Sequence, residues 1–205
     1  MKANSYQYRK QKTLSTNLTL LLGSLFMSSV SQSAPFTIEP ENSWNIINDS
    51  VMGGGSSSSV SYDNKVATFS GELSLDNNGG FASIRARLTT KVPAKATHVY
   101  IRVKGDGRKY QLRLRTDSNW DAAAYSRTFN TKRDEWLTYQ FSAAEFIALF
   151  RGQQVNAPEL KLTDVKQIGF LLADKQPGQF SLSFKSILLG AVDLSSLVFV
   201  RIQCF

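Results

Sequence analysis

Six cations recur at every second residue of three short segments: Arg85 and Arg87 in "FASIRARL", Arg102 and Lys104 in "HVYIRVK", Arg113 and Arg115 in "YQLRLRT". Such groups bind rather than break bonds. A guanidinium offers a planar fork of donors that matches a carboxylate or phosphate. Residues that break bonds are scarce here. The chain has one histidine, His98, and one cysteine, Cys204, so nucleophile–histidine catalysis would rest on His98 alone. His98 itself opens an alternating segment and reads as a strand residue. The usual Cys/His zinc site is excluded. Asp49, Asp106 and Asp121 each stand beside turns, where aspartate caps backbone amides, and no carboxylate pair can be placed at a glycosidase separation. Asp76, Asn77 and Asn78 lack the spacing of a calcium-binding EF loop. No catalytic set, metal site or cofactor is therefore expected.

Three glycine clusters could in principle cradle a phosphate. The first is "NDSVMGGGSSSS" from Asn48 to Ser59. A phosphate-binding P-loop needs Lys and then Ser or Thr after its second glycine, between a strand and a helix. Here serines and then a strand follow. The motif reads instead as a tight turn: Asp49 and Ser50 cap amides, Met52 turns inward as a deformable plug, and the glycines permit close backbone approach. "DNNGGF" (Asp76–Phe81) reads as a second tight turn. "KGDGRKY" reads as a hairpin turn between two alternating strands.

The elements that must position these residues show a period of two. "KVATFSGELSL", "FASIRARL", "HVYIRVK", "YQLRLRT", "AAYSRTF", "WLTYQF", "KQIGFLLA" and "FSLSFKSILL" all alternate, which marks half-buried antiparallel strands. One segment departs. "SAAEFIALFRG" has a capping box in Ser142 and Glu145, helical spacing at Phe146, Leu149 and Phe150, and a stop at Gly152. The expectation is an all-β jelly-roll sandwich with one short helix. If the three cationic segments share one sheet, the six cations project from its outer face beside Tyr100 and Gln111, with Trp120 and Tyr125 flanking. That face suits an anionic or sugar-like ligand or a protein partner. It serves equally as a charged surface that discourages aggregation. The candidate binding residues are Asp49, Met52, Asn78, Arg85, Arg102, Arg113, Arg115, Trp120 and Tyr125.

The chain has 205 residues and a formal charge of +8. Its first 33 residues carry Lys2, Arg9, Lys10 and Lys12, then an apolar run from Leu18 to Val30, then small polar residues. That is the layout of a secretory signal peptide; an uncleaved anchor is the alternative. Without it, 20 basic residues face 16 acidic ones, a net +4, too mild to argue for nucleic acid. One sandwich domain is expected over 34–190, followed by an apolar tail over 191–205. The protein is expected to be exported to the periplasm, and peripheral membrane association is compatible with that reading.

The elements "W…INDSVMGGGSSS", "FSGELSLDNNGGFASIRAR", "VKGDGRKYQLRLR", "WLTYQFSAAEFIALFRG" and "VKQIGFLLADKQPGQFSLSFKSI" follow one another from Trp44 to about Ile187. In this order the sequence resembles the complex I intermediate-associated protein family. The resemblance implies a galactose-binding-like sandwich and a non-enzymatic role in assembling a protein complex. It brings no catalytic residues. The signal segment and the apolar tail depart from the mitochondrial members, so the assembly role carries over only in its general form, as binding to an envelope or respiratory complex subunit. A periplasmic carbohydrate-binding module is the alternative, with Trp120, Tyr125, Arg113 and Asn78 as candidates for the sugar.

Overall fold

The computed structural model describes residues 35–191. The signal segment expected over 1–33 and the tail beyond 191, with Cys204, lie outside them. The described chain is built from β1 (Phe36–Ile38), β2 (Asn45–Asn48), β3 (Ser57–Asp63), β4 (Val66–Leu73), β5 (Ala82–Arg87), β6 (His98–Gly105) and β7 (Lys109–Arg115), then β8 (Ala124–Asn130), β9 (Trp136–Ser142), β10 (Ile147–Phe150), β11 (Gln153–Gln154), β12 (Gln167–Leu172), β13 (Gly178–Phe184) and β14 (Ile187–Gly190). The first sheet runs β1–β14–β6–β13–β4–β3, with β9 on the other side of β6. The second runs β11–β10–β8–β7–β12–β5–β2. This is the all-β jelly-roll sandwich that the period of two implies.

Each sheet buries alternate residues against the other. Val99, Ile101 and Val103 of β6 and Phe69 and Phe184 of the same sheet meet Tyr110, Leu112, Leu114 and Phe170 of the second. Aromatic rings dominate the seam. Phe170 lies 4.9 Å from Phe184, whose ring also meets Trp44 edge-on at 5.1 Å. Such pairs add about 0.5–1.5 kcal/mol each beyond their buried area. Trp44 is fixed by its indole N–H, which donates to the Pro40 carbonyl at 2.9 Å.

Two local expectations are corrected. The segment expected to be helical forms only a 3-10 turn over Ala143–Glu145. Its capping box is present: the Ser142 amide donates to Glu145 Oε2 at 2.8 Å. The chain then continues as β10, which pairs with β8. Phe146 and Ala148 are buried while Ile147 is half-exposed, so the segment follows period two. The "GDG" turn, in turn, joins no hairpin. β6 lies in the first sheet and β7 in the second, and the turn is an arch between them. Asp106 holds this arch, accepting from Arg108 N at 2.9 Å, Tyr110 Oη at 3.0 Å and Ser181 N at 2.9 Å.

Two ionised side chains tie loops to the sandwich. Asp49 is fully buried. Its Oδ1 accepts the Ser56 amide at 2.9 Å, and Oδ2 accepts Ser56 Oγ at 2.6 Å, Gly80 N at 2.6 Å and Phe81 N at 3.2 Å. A Cβ on Gly54 or Gly79 would stand 2.4 or 2.6 Å from this carboxylate, so both glycines are required by close approach. Arg108 forms the second tie. Its Nε and Nη2 donate to Asp174 at 3.0 and 2.6 Å, and it also bonds the carbonyls of Gln176, Gly178 and Gln179.

Burial works against the charge on Asp49, but the Ser56 hydroxyl and the amides of Gly80, Ser56 and Phe81 outweigh it and hold its pKa below the ordinary 3.8. Asp174 is likewise held low, the Arg108 fork outweighing its burial. A carboxylate depressed by folding stabilises the fold above its unfolded pKa and loses that contribution as pH falls through its folded value. Urea unfolding is therefore expected to show a stability plateau above about pH 5 that declines below about pH 4. Asp49→Asn places an amide donor against the Gly80 and Phe81 amides. It should cost about 2–4 kcal/mol at neutral pH and flatten the acid decline.

Candidate functional site

The outer face of the second sheet is set by strand register. Gly169 of β12 pairs with Arg85 of β5 on one side and with Arg113 of β7 on the other. In the next row Gln167 lies between Arg87 and Arg115. Arg113 in turn faces Ser126 of β8, and Ser126 faces Ile147 of β10. Four of the six cations thus share this face.

The other two do not. Arg102 and Lys104 lie on β6 in the first sheet, paired with Thr138 and Trp136 of β9. Their charged ends sit 5.9 and 5.8 Å from the Trp136 ring, which Lys185 also approaches at 5.6 Å. The reason is the arch at Gly105–Arg108, which sends the chain across the sandwich. Tyr125 is also corrected. It points inward, is buried, and donates from its hydroxyl to the Pro158 carbonyl at 2.8 Å. Met52, expected as an inward plug, is 65% exposed; the turn Asp49–Met52 carries its apolar residues outward while Asp49 alone points in. Asp49 is saturated within the chain. Asn78 lies in an exposed left-handed turn with φ 59°, away from the arginine rows.

The segment between β7 and β8 folds over the end of the arginine face. Asx turns shape it: Asn119 N donates to Asp117 Oδ1 at 2.8 Å and Asp121 N to Asn119 Oδ1 at 3.0 Å. Its carbonyls then orient the side chains below. Arg85 Nη1 donates to Trp120 O at 2.7 Å, Arg115 Nε to Ala122 O at 3.2 Å, and Gln167 Nε2 to Asp117 O at 2.8 Å. The Arg87 guanidinium stacks 4.6 Å over the Trp120 ring. Sequence inspection found Trp120 but not that its carbonyl, rather than its ring, organises the site; no residue type signals a main-chain acceptor.

Arg113 differs from its neighbours. No hydrogen bond forms to it, and its Nε is buried without a partner, as is Oε1 of Gln111 beside it. None of Arg85, Arg113 and Arg115 reaches a carboxylate within 4.0 Å; the ion pairs of the described residues lie elsewhere. Burial draws the Arg113 pKa down to about 10, with Arg85 adding to the effect. Burial, then Arg85 and Arg113, draw Arg115 down to about 9 against the pull of Asp121. Arg85 is lowered by burial, and Asp121 opposes that. A guanidinium keeps its proton at any physiological pH. An arriving anion is thus what can relieve this strain. Among the described residues no three His, Cys, Asp or Glu side chains converge as metal ligands.

The sequence profile of the family "Complex I intermediate-associated protein 30" matches residues 32–184. The chain belongs to that family. No curated protein matches the chain in sequence. In fold, this family member is similar to the family 11 carbohydrate-binding module of a cellulosomal cellulase of Clostridium thermocellum, with a TM-score of 0.60, 15% identity, and cover of 80% of this chain and 98% of that one. A second structure of the family 11 module from the same organism, in complex with a β-1,3-1,4-mixed-linked tetrasaccharide, gives 0.58 and 16% over 78% and 99%. An agarase shares the fold over 25% of its own length and 79% of this chain, at 0.54 and 8%. These likenesses establish the sandwich.

Arg113→Met removes a desolvated charge that no carboxylate of the described residues neutralises. It is expected to leave stability unchanged or raise it by about 1 kcal/mol, allowing for the partial exposure of the site. Sulfate, against chloride at equal ionic strength, should raise the melting temperature of the natural protein more than that of the variant, because an anion held in the folded state stabilises it by mass action. Differential scanning fluorimetry measures both.

Proposed function

We propose that this family member is a non-catalytic binding module that acts as an assembly factor, docking a subunit of an envelope or respiratory protein complex on the arginine-bearing face of its second sheet. One observation carries the reading: Arg85, Arg113 and Arg115 gather on one face, partly desolvated, with no carboxylate of the described residues within ion-pair distance. Burying cations without partners costs stability, and a fold keeps them where a partner supplies the missing charge. The family's name, that of an intermediate-associated protein, supports a partner that is itself a protein. The basic, apolar start of the sequence supports export, and with it a site of action in the periplasm or at the membrane surface.

The fold neighbours favour a second reading, a glycan-binding module. Here the stacking platform such a module needs is reduced: Tyr125 is buried, and the Trp120 ring is covered on one face by Arg87. A mixed-linked β-glucan panel in a thermal-shift screen is the direct check.

Capture of the tagged full chain from envelope fractions should yield a stoichiometric protein partner. Arg113→Glu with Arg115→Glu is expected to lose it, while Arg102→Glu with Lys104→Glu, on the other sheet, retains it. A monomer with no partner, or one released by the two pairs alike, would sink the assembly reading. A saturable response to β-glucan without any protein partner would replace it with the glycan one.

A further inference from the structure

The row Arg85–Gly169–Arg113–Ser126–Ile147 crosses five adjacent strands of the second sheet. Strand spacing of about 4.8 Å puts Arg85 and Arg113 about 10 Å apart at the backbone, with only Gly169 between them. Gly169 has no alternative: a Cβ there would stand 2.2 Å from the Ile84 carbonyl oxygen. The β5 backbone and Arg85 Cγ, 3.2 Å from that point, take up the room a side chain would need, and no side chain of β12 stands between the two arginines in this row. Arg85 is already oriented by the Trp120 carbonyl. Arg113 holds its donors free, and Gln111 leaves a buried acceptor unused beside it.

We propose that this pair of arginines is a carboxylate subsite for an acidic, apolar-flanked peptide segment, with Arg113 as the primary contact and Arg85 as its pre-oriented second donor. The peptide class follows from the far end of the row. Ile147 is 50% exposed and stands two strands from Arg113, about 10 Å away. The space between the two arginines lies three strands from Ile147, about 14 Å, and an extended peptide turns residues i and i+4 to one side about 13 Å apart, so a Glu or Asp on the arginines and a Leu or Val four positions on would fill both places. A uronic acid offers the carboxylate but no aliphatic group for Ile147. The inference rests on the assembly reading only in taking the ligand to be a protein.

The test uses the full chain and a fluorescent decapeptide carrying Glu and Leu four residues apart, compared with its Glu→Gln counterpart by anisotropy at low and high salt. The Glu peptide should bind about tenfold more tightly or better at low salt. That preference should vanish in Arg113→Gln and survive in Arg102→Gln with Lys104→Gln. Ile147→Ser should weaken both peptides alike. A melting temperature for Arg113→Gln no lower than that of the natural protein excludes unfolding as the cause. Equal binding of the two peptides, or an unchanged preference in Arg113→Gln, overturns the proposal. So does Arg113-dependent binding of an oligogalacturonate without binding of the Glu peptide. Peptide recognition with no partner captured would leave the subsite standing and remove the assembly reading; the converse would do the reverse.

Discussion

Alternation along a strand fixes both the core and the arginine-bearing face of this protein at once. In β7, Tyr110, Leu112 and Leu114 are wholly buried against the first sheet, and each contributes on the order of 1.5–3 kcal/mol by leaving water. Gln111, Arg113 and Arg115 must then point the other way. A slip of one residue would turn the three arginine-side positions into the core and expose the apolar ones, so the register that holds the fold also holds the guanidiniums. The same logic in β5 buries Ala82, Ile84 and Ala86 and turns out Arg85 and Arg87. The energy of the core, not any attraction among the cations, is what gathers them.

That coupling explains what the sequence disclosed. The periods of "FASIRARL" and "YQLRLRT" report a local property of the backbone, and Arg85, Arg87, Arg113 and Arg115 lie on one face as read. What went unread was long-range. The turn chemistry of "GDG" is the same whether the next strand pairs with the last or crosses to the opposite sheet. The choice is made by Asp106 reaching Ser181 and by the burial of Tyr110, and it sends Arg102 and Lys104 to the far side. The failure at "EFIALF" has a different origin. Every position from Phe146 to Phe150 is apolar, so periods of two and 3.6 fit equally, and pairing of Ile147 and Leu149 with β8 decides for the strand. Of the three residues at helical spacing, Phe146 is buried in the core, while Leu149 shares the arginine face with Ile147.

The turn "NDSVMGGGSSSS" acquires a definite part in this arrangement. Asp49 reads correctly as a cap, but its partners come from a distant turn, "DNNGGF", and from Ser56. Gly54 and Gly79 are the residues that let both loops close on one carboxylate. Because the Asp49 amide also donates to the Phe81 carbonyl at 3.2 Å, the clamp fixes the start of β5, just ahead of Arg85. The most recognisable motif of the chain therefore acts on the arginine-bearing face through position, by holding an edge of the sheet that carries it.

Satisfaction within the chain separates the two kinds of polar residue seen here. Asp49 and Arg108 are buried ions whose oxygens or nitrogens are met by the protein's own groups, and their charges stabilise the fold. Arg113 has equal capacity and is met by nothing, although Ser126 and Gln111 stand beside it and a carboxylate at either position would have been enough. A side chain that costs folding energy while compensation lies one substitution away is explained by something outside the fold. The open donors of Arg113 and the guanidinium of Arg85, oriented by the Trp120 carbonyl, stand in one row of the sheet. That arrangement is the physical ground for the proposed docking of a negatively charged partner group.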